Sequence, residues 1–177
     1  MATKKAIWIL CGILVISAWV LGSVIQAGAE SLNFKFFSHV TRSEVFPVGD
    51  IEGHNVSIQV REGAVIFASG ELAWMKAINS QDMVRGAGGT FDQYYTVTFQ
   101  DGSTITSHNK GTATGTPSTA NATSKWAGEI IKGTGRFQGI NGTVAAGIKF
   151  LPPEKDEVGR GGKALGEATF DYTLPSK

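Results

Sequence analysis

The chain has 177 residues, 16 Lys and Arg against 15 Asp and Glu for a formal charge of +1, and a single cysteine. With near-neutral charge and no basic cluster, it lacks the electrostatic footprint on which nucleic-acid and anionic-membrane binding depend. One cysteine excludes a disulfide framework within the chain, so the fold must be held by its core.

The first residues read as an export signal. Lys4 and Lys5 precede an apolar run at residues 6–24, and Gln26-Ala27-Gly28-Ala29 supplies an A-x-A pattern of small residues. Cleavage after Ala29 is expected, giving a signal peptide at 1–29 and a secreted or periplasmic domain at 30–177, with no membrane association after cleavage. Retention as an anchor is the alternative, because the run is near the ~20 residues that a span requires. Cleavage would remove Cys11 and shift the formal charge to −1, leaving a single-domain length of 148 residues.

From residue 30 a period of two dominates. Leu32, Phe34, Phe36 and Ser38 share one strand face. Residues 43–54, with Pro47, Gly49 and Gly53, read as a loop. Val56, Ile58 and Val60 alternate with Ser57, Gln59 and Arg61 as a half-buried strand, closed by a turn at Glu62-Gly63. Residues 64–75 read as one apolar strand bent at Gly70, and residues 78–89 as a loop or an irregular helical turn. Phe91, Gln93, Tyr95, Val97 and Phe99 share a face, and Asp101-Gly102 predicts a two-residue hairpin turn. A Thr-rich returning strand follows at 103–114, then a polar loop at 116–124. A strand at 125–131 leads into a glycine-rich corner at 133–143. Strands at 143–151 and 164–174 flank a charged loop at 152–162.

No window of 11 to 18 residues beyond the signal sustains a helical period. About eight strands joined by short turns predict an all-β fold, an eight-stranded antiparallel barrel in preference to a sandwich. A barrel also removes the exposed edges that a disulfide-free exported sheet would carry.

Trp74, Tyr95, Phe99, Trp126, Phe170 and Tyr172 are the candidates to line the barrel interior, as plain core or as a ligand pocket. Arg61, Glu71, Arg136 and Asp171 are expected to point outward. His39, His54 and His108 lack ligand spacing, so no metal site is expected. Neither a nucleotide-binding loop nor a G-x-S-x-G elbow is present, and no cofactor is implied.

Gly133-Thr134-Gly135-Arg136-Phe137-Gln138-Gly139, followed by Asn141-Gly142-Thr143, resembles the glycine corner of the allene oxide cyclase and dirigent protein barrels. Asp101-Gly102-Ser103 before a Thr-rich strand is similar to the pattern upstream. The residue-level resemblance covers about 130–148. It makes Gly133, Gly135, Gly139 and Gly142 the structural corner, with Gly135 or Gly139 expected at positive φ or in close approach to another strand. It implies a barrel with an apolar central cavity, in a family that is often a homotrimer and binds or cyclises small hydrophobic molecules without a cofactor. The acidic residue that cyclases carry in the first strand has no counterpart in residues 32–41. The expected function is therefore an exported barrel holding a small hydrophobic molecule in its interior. The alternatives are a cofactor-free isomerase or cyclase, and a structural or interaction barrel with a filled core.

Overall fold

A computed structural model of the protein describes residues 28–115, 122–151 and 162–176. The expected signal segment lies almost wholly outside these residues, as do most of the expected loops at 116–124 and 152–162. Eight antiparallel strands follow one another in sequence and close into a barrel, β1 pairing with both β2 and β8. The strands are β1 (Glu30–Pro47), β2 (His54–Phe67), β3 (Leu72–Val84), β4 (Gly88–Phe99), β5 (Thr104–Thr114), β6 (Thr123–Thr134), β7 (Asn141–Phe150) and β8 (Ala164–Thr173).

The strands are longer than the sequence suggested. β1 runs through Ser43 and Glu44 to Pro47, so the expected loop shrinks to residues 48–53. Glu62-Gly63 is not a turn but the middle of β2, where Gly63 lies against β1 so closely that a Cβ would be 1.8 Å from the Phe37 carbonyl oxygen. The expected strand at 64–75 is two strands, with Gly70 (φ +87°) in the turn between β2 and β3. Residues 78–89 are not a loop either. They carry β3 to Val84 and open β4 at Gly88, because the β3–β4 ladder runs unbroken from Ala73↔Phe99 to Val84↔Gly88.

The β4–β5 turn holds three residues rather than two. The Phe99 amide donates to Ser103 O at 2.9 Å, the Gly102 amide donates to Phe99 O at 3.0 Å, and Gly102 has φ +80°. That is a type I turn closed by a left-handed glycine. Asp101 fixes it by accepting the Ser103 amide at 2.9 Å.

The ring closes with a large stagger. The paired register from Ser43 passes through Gln59, Asn79, Gln93, Asn109, Gly128, Val144 and Phe170, and returns to β1 at Leu32, eleven residues earlier. Bulges between Val40 and Arg42 and between Thr106 and Ser107 add to the coiling.

The glycine corner lies between β6 and β7. Gly135 opens a short 3-10 turn (Gly135–Phe137) and has φ +58°; Gly139 follows it with φ +80°. A Cβ on Gly135 would be 2.3 Å from Ser103 Oγ, and one on Gly139 would be 2.8 Å from Pro175 Cγ. Asn141-Gly142 is not the turn itself. It begins β7, and Gly142 is small because the Asp171 carbonyl oxygen would sit 2.1 Å from its Cβ. The corner drives Phe137 into the end of the barrel, where it is 4% exposed, and projects Arg136 over its rim. Arg136 pairs with Glu71 at 2.6 Å and lies over the rings of Phe99 (4.5 Å) and Phe137 (4.9 Å).

These contacts set an order of mutational cost. Gly135→Val and Gly139→Val combine positive φ with a steric clash and are expected to cost roughly 2–3 kcal/mol each. Arg136→Ala loses exposed ion pairs to Glu71 and Asp101 and the guanidinium's cover over Phe99 and Phe137, about 1 kcal/mol. Thermal melts should show both glycine variants several degrees below Arg136→Ala. Glycine variants that melt with the parent would mean the corner is not strained.

Candidate ligand-binding interior

Alternation on eight strands sends every second side chain inward. One end of the barrel is filled by aromatic rings. Phe34 meets Phe170 at 5.0 Å and Phe67 at 5.3 Å between ring centroids; Phe67 meets Phe99 at 5.1 Å, and Phe99 meets Phe137 at 4.8 Å. Val65, Val97, Ile105 and Val144 complete this plug. Tyr172 borders it and donates its hydroxyl to Glu30 at 2.7 Å, and burial, then that bond, pushes its pKa up to about 12.

The other half of the interior is polar. Gln59, Asn79, Gln93 and Asn109 lie side by side on β2 to β5, all buried. Asn109 Nδ2 donates to Gln93 Oε1 at 3.2 Å, and Gln93 Nε2 donates to Asn79 Oδ1 at 2.8 Å. Gln81 joins Gln59 in a neighbouring bond of 3.2 Å. Arg61 also points inward and is 7% exposed, so its expected outward position is corrected. It donates from Nε to Ser38 Oγ at 3.3 Å and from its terminal nitrogen to Gly162 O at 2.9 Å, and it lies 5.7 Å from the Phe150 ring centroid. Burial pushes its pKa down to about 10, so it remains a cation at neutral pH. Glu71, Arg136 and Asp171 do face outward.

A set of unpartnered polar atoms lies beside the plug and takes in the Asn109 end of the amide row. Tyr95 Oη, Ser107 Oγ, Asn109 Oδ1, Ser124 Oγ and Trp126 Nε1 are buried and have no hydrogen-bond partner. Each of these residues is at most 4% exposed. They lie on the inner wall of three adjacent strands, β4, β5 and β6, and Tyr95 is paired in register with Ser107. Tyr95 touches both halves of the barrel, with ring centroids 5.3 Å from Trp126, 6.0 Å from Phe36 and 6.4 Å from Phe34. Burial pushes its phenol pKa well above the usual range, so it is neutral. Native interiors leave few such atoms unbonded, because each costs about 1–3 kcal/mol. Five of these atoms share one wall, while a sixth, Ser43 Oγ, lies apart on β1.

The expected pocket residues therefore divide. Tyr95 and Trp126 adjoin the unpartnered set, while Phe99, Phe170 and Tyr172 belong to or border the plug. Trp74 is on the outside, 53% exposed, and its expected place in the interior is corrected: β3 turns Met75 and Ala77 inward, which leaves Trp74 the opposite face. Ser107, Asn109, Ser124 and Arg61 were missed as site residues. The signal was parity, since Ser57, Gln59 and Arg61 fall in step with Val65 and Phe67 once β2 is read as continuous. Among the described residues no Asp or Glu side chain is buried, and no group of His, Cys, Asp and Glu could hold a metal ion.

At the rim of the polar half His54 ties the β1–β2 loop to β3. Its Nδ1 is 2.6 Å from Asp50 Oδ1 and its Nε2 is 2.7 Å from Asp82 Oδ1. Donating to both carboxylates at once requires a proton on each ring nitrogen, so the pair favours the protonated ring. The bonds to Asp82 and then Asp50 raise its pKa above 6.5, and the bond to His54, then that from the Ile51 amide, lowers the pKa of Asp50. The raised histidine contributes its full stability below its ordinary pKa and loses it as pH rises through the folded value. NMR titration should find the His54 pKa above that of a free histidine, and Asp82→Asn should bring it down. A His54 pKa at or below 6.5 in the parent would break this account.

Two grooves mark the outer wall. One, of about 580 Å³, runs over Lys35, Ile66, Ala145, Gly147 and Glu167; the other, of about 630 Å³, runs over Ser80, Asp82, Thr90, Asp92 and Lys110. Comparison of the chain with protein-family models, with curated proteins and with solved structures finds no match.

Proposed function

We propose that the protein is an exported barrel of the allene oxide cyclase and dirigent type that holds a small, largely apolar molecule in its interior. The observation that carries this reading is the cluster of buried, unpartnered polar atoms on Tyr95, Ser107, Asn109, Ser124 and Trp126. A barrel used only as a scaffold gains nothing from leaving these atoms unbonded, and an apolar wall of the same shape would be more stable. A bound molecule satisfies them while its body packs against Phe36, Tyr95 and Trp126. Binding is favoured over isomerase chemistry by the residues available. The buried titratable groups described are two neutral phenols, Tyr95 and Tyr172, and an arginine still charged at neutral pH, with no buried carboxylate to act as a general base or acid.

Native mass spectrometry of protein secreted by its own leader tests both parts of the reading. The expected result is a chain beginning at Glu30, with an added mass that is lost on denaturation. Ser107→Ala and Tyr95→Phe should lower the retained fraction several-fold while the fold persists. Protein that carries no added mass and takes up no apolar probe would remove the proposal.

A further inference from the structure

We infer that the molecule held in the interior is uncharged and carries a polar group that both accepts and donates a hydrogen bond, of the primary-amide type, rather than a carboxylate. This rests on the interior-binding reading above and adds the chemistry of the ligand. The unpartnered atoms are not interchangeable. Trp126 Nε1 is a donor only, so it needs an acceptor from the ligand. Asn109 presents the opposite demand. Its Nδ2 is committed to Gln93 Oε1, and Gln93 in turn gives its own Nε2 to Asn79 Oδ1. The row of amides thus ends on Asn109 Oδ1, an acceptor that needs a donor. The hydroxyls of Tyr95, Ser107 and Ser124 rotate to serve as either. A group with a carbonyl oxygen and an N–H satisfies Trp126 and Asn109 together.

A carboxylate offers acceptors alone and would set its charge against Asn109 Oδ1. Its counter-charge would have to come from Arg61, but Arg61 lies on β2, across the ring from Trp126 on β6, and is already bonded to Ser38 and Gly162. A ketone satisfies Trp126 and leaves Asn109 Oδ1 unbonded, which is the costlier kind of mismatch in a buried site.

The test uses three probes of similar length, hexanamide, pentyl methyl ketone and hexanoate, titrated against the intact protein at neutral pH and followed by ligand-observed NMR. Hexanamide is expected to bind at least about tenfold more tightly than either of the others. Asn109→Leu should erase its advantage over the ketone, and Ser107→Ala, a milder change on the same wall, should weaken all the neutral probes without reordering them. Melting curves identify any variant that fails to fold. Hexanoate binding most tightly, with that binding lost in Arg61→Gln, would overturn the inference and leave interior binding standing. The ketone binding as tightly as the amide would also overturn it, since the amide row would then run in the reverse sense and end on a donor. No binding by any of the three would remove the interior-binding reading itself.

Discussion

Closing β1 onto β8 commits each strand residue to the inside or the outside of the ring. An open sheet can relax an awkward position at its edge, but a ring has no edge, and a slip of one residue in any ladder turns a whole strand over. The pairing is fixed at the aromatic end. Phe34, Phe67, Phe99 and Phe170 must interlock there with Phe137, which the 3-10 turn carries in from the corner between β6 and β7. The glycine corner and the plug are therefore one device. Gly135 and Gly139 take the left-handed conformations that let Phe137 close the end, and Gly142 lets β7 start hard against β8.

Once the plug sets the register, the polar half follows by alternation. From Phe67 and Val65 the inward series on β2 continues through Gly63, Arg61, Gln59 and Ser57. On β4 it runs from Phe99 and Val97 through Tyr95 to Gln93, and on β5 from Ile105 through Ser107 to Asn109. Three strands each pass from apolar to polar along a single inward face. Tyr95 stands at the change, its ring in the apolar half and its hydroxyl among the unpartnered atoms.

The barrel was legible because it depends on strand count and turn chemistry, which short local patterns report. Its interior was only half legible. Tyr95, Phe99, Trp126, Phe170 and Tyr172 could be placed inside because an aromatic residue on an alternating run is the usual inward residue. Trp74 breaks that rule, since Met75 and Ala77 take the inside of β3 and the indole is left on the outer wall. Arg61 and Gln59 break it in the other direction. The cause was one misread glycine. Taking Glu62-Gly63 as a turn restarts the alternation and allows Val56, Ile58 and Val60 to claim the core. Gly63 is there because β1 passes too close for a Cβ, a long-range requirement that a local window does not contain. Gly142 carries the same ambiguity: a glycine serving close approach has the same letter as one serving a turn.

The inversion of β2 also explains the outer wall. Ser57, Gln59 and Arg61 occupy the interior, so Val56 and Ile58 are turned to solvent, 38% and 50% exposed. The register sets Val56 beside Phe46 of β1, and Val60 in line with Ile78 and Tyr94 of β3 and β4, forming an apolar stripe across four strands. A slip of β2 by one residue would bury Val56, Ile58 and Val60 and expose Ser57, Gln59 and Arg61, the arrangement that the hydrophobic effect alone favours at this end. It would also turn Val65 and Phe67 out of the plug and bring the side chains of Ala64 and Ile66 against rings they do not fit. The native register therefore keeps the aromatic end at the expense of the polar end, where the amide bonds and the Arg61 contacts recover part of what is lost. The atoms left over on β4 to β6 are the part not recovered within the protein, and a bound molecule that satisfied them would stabilise the half of the barrel that the register leaves least favourable.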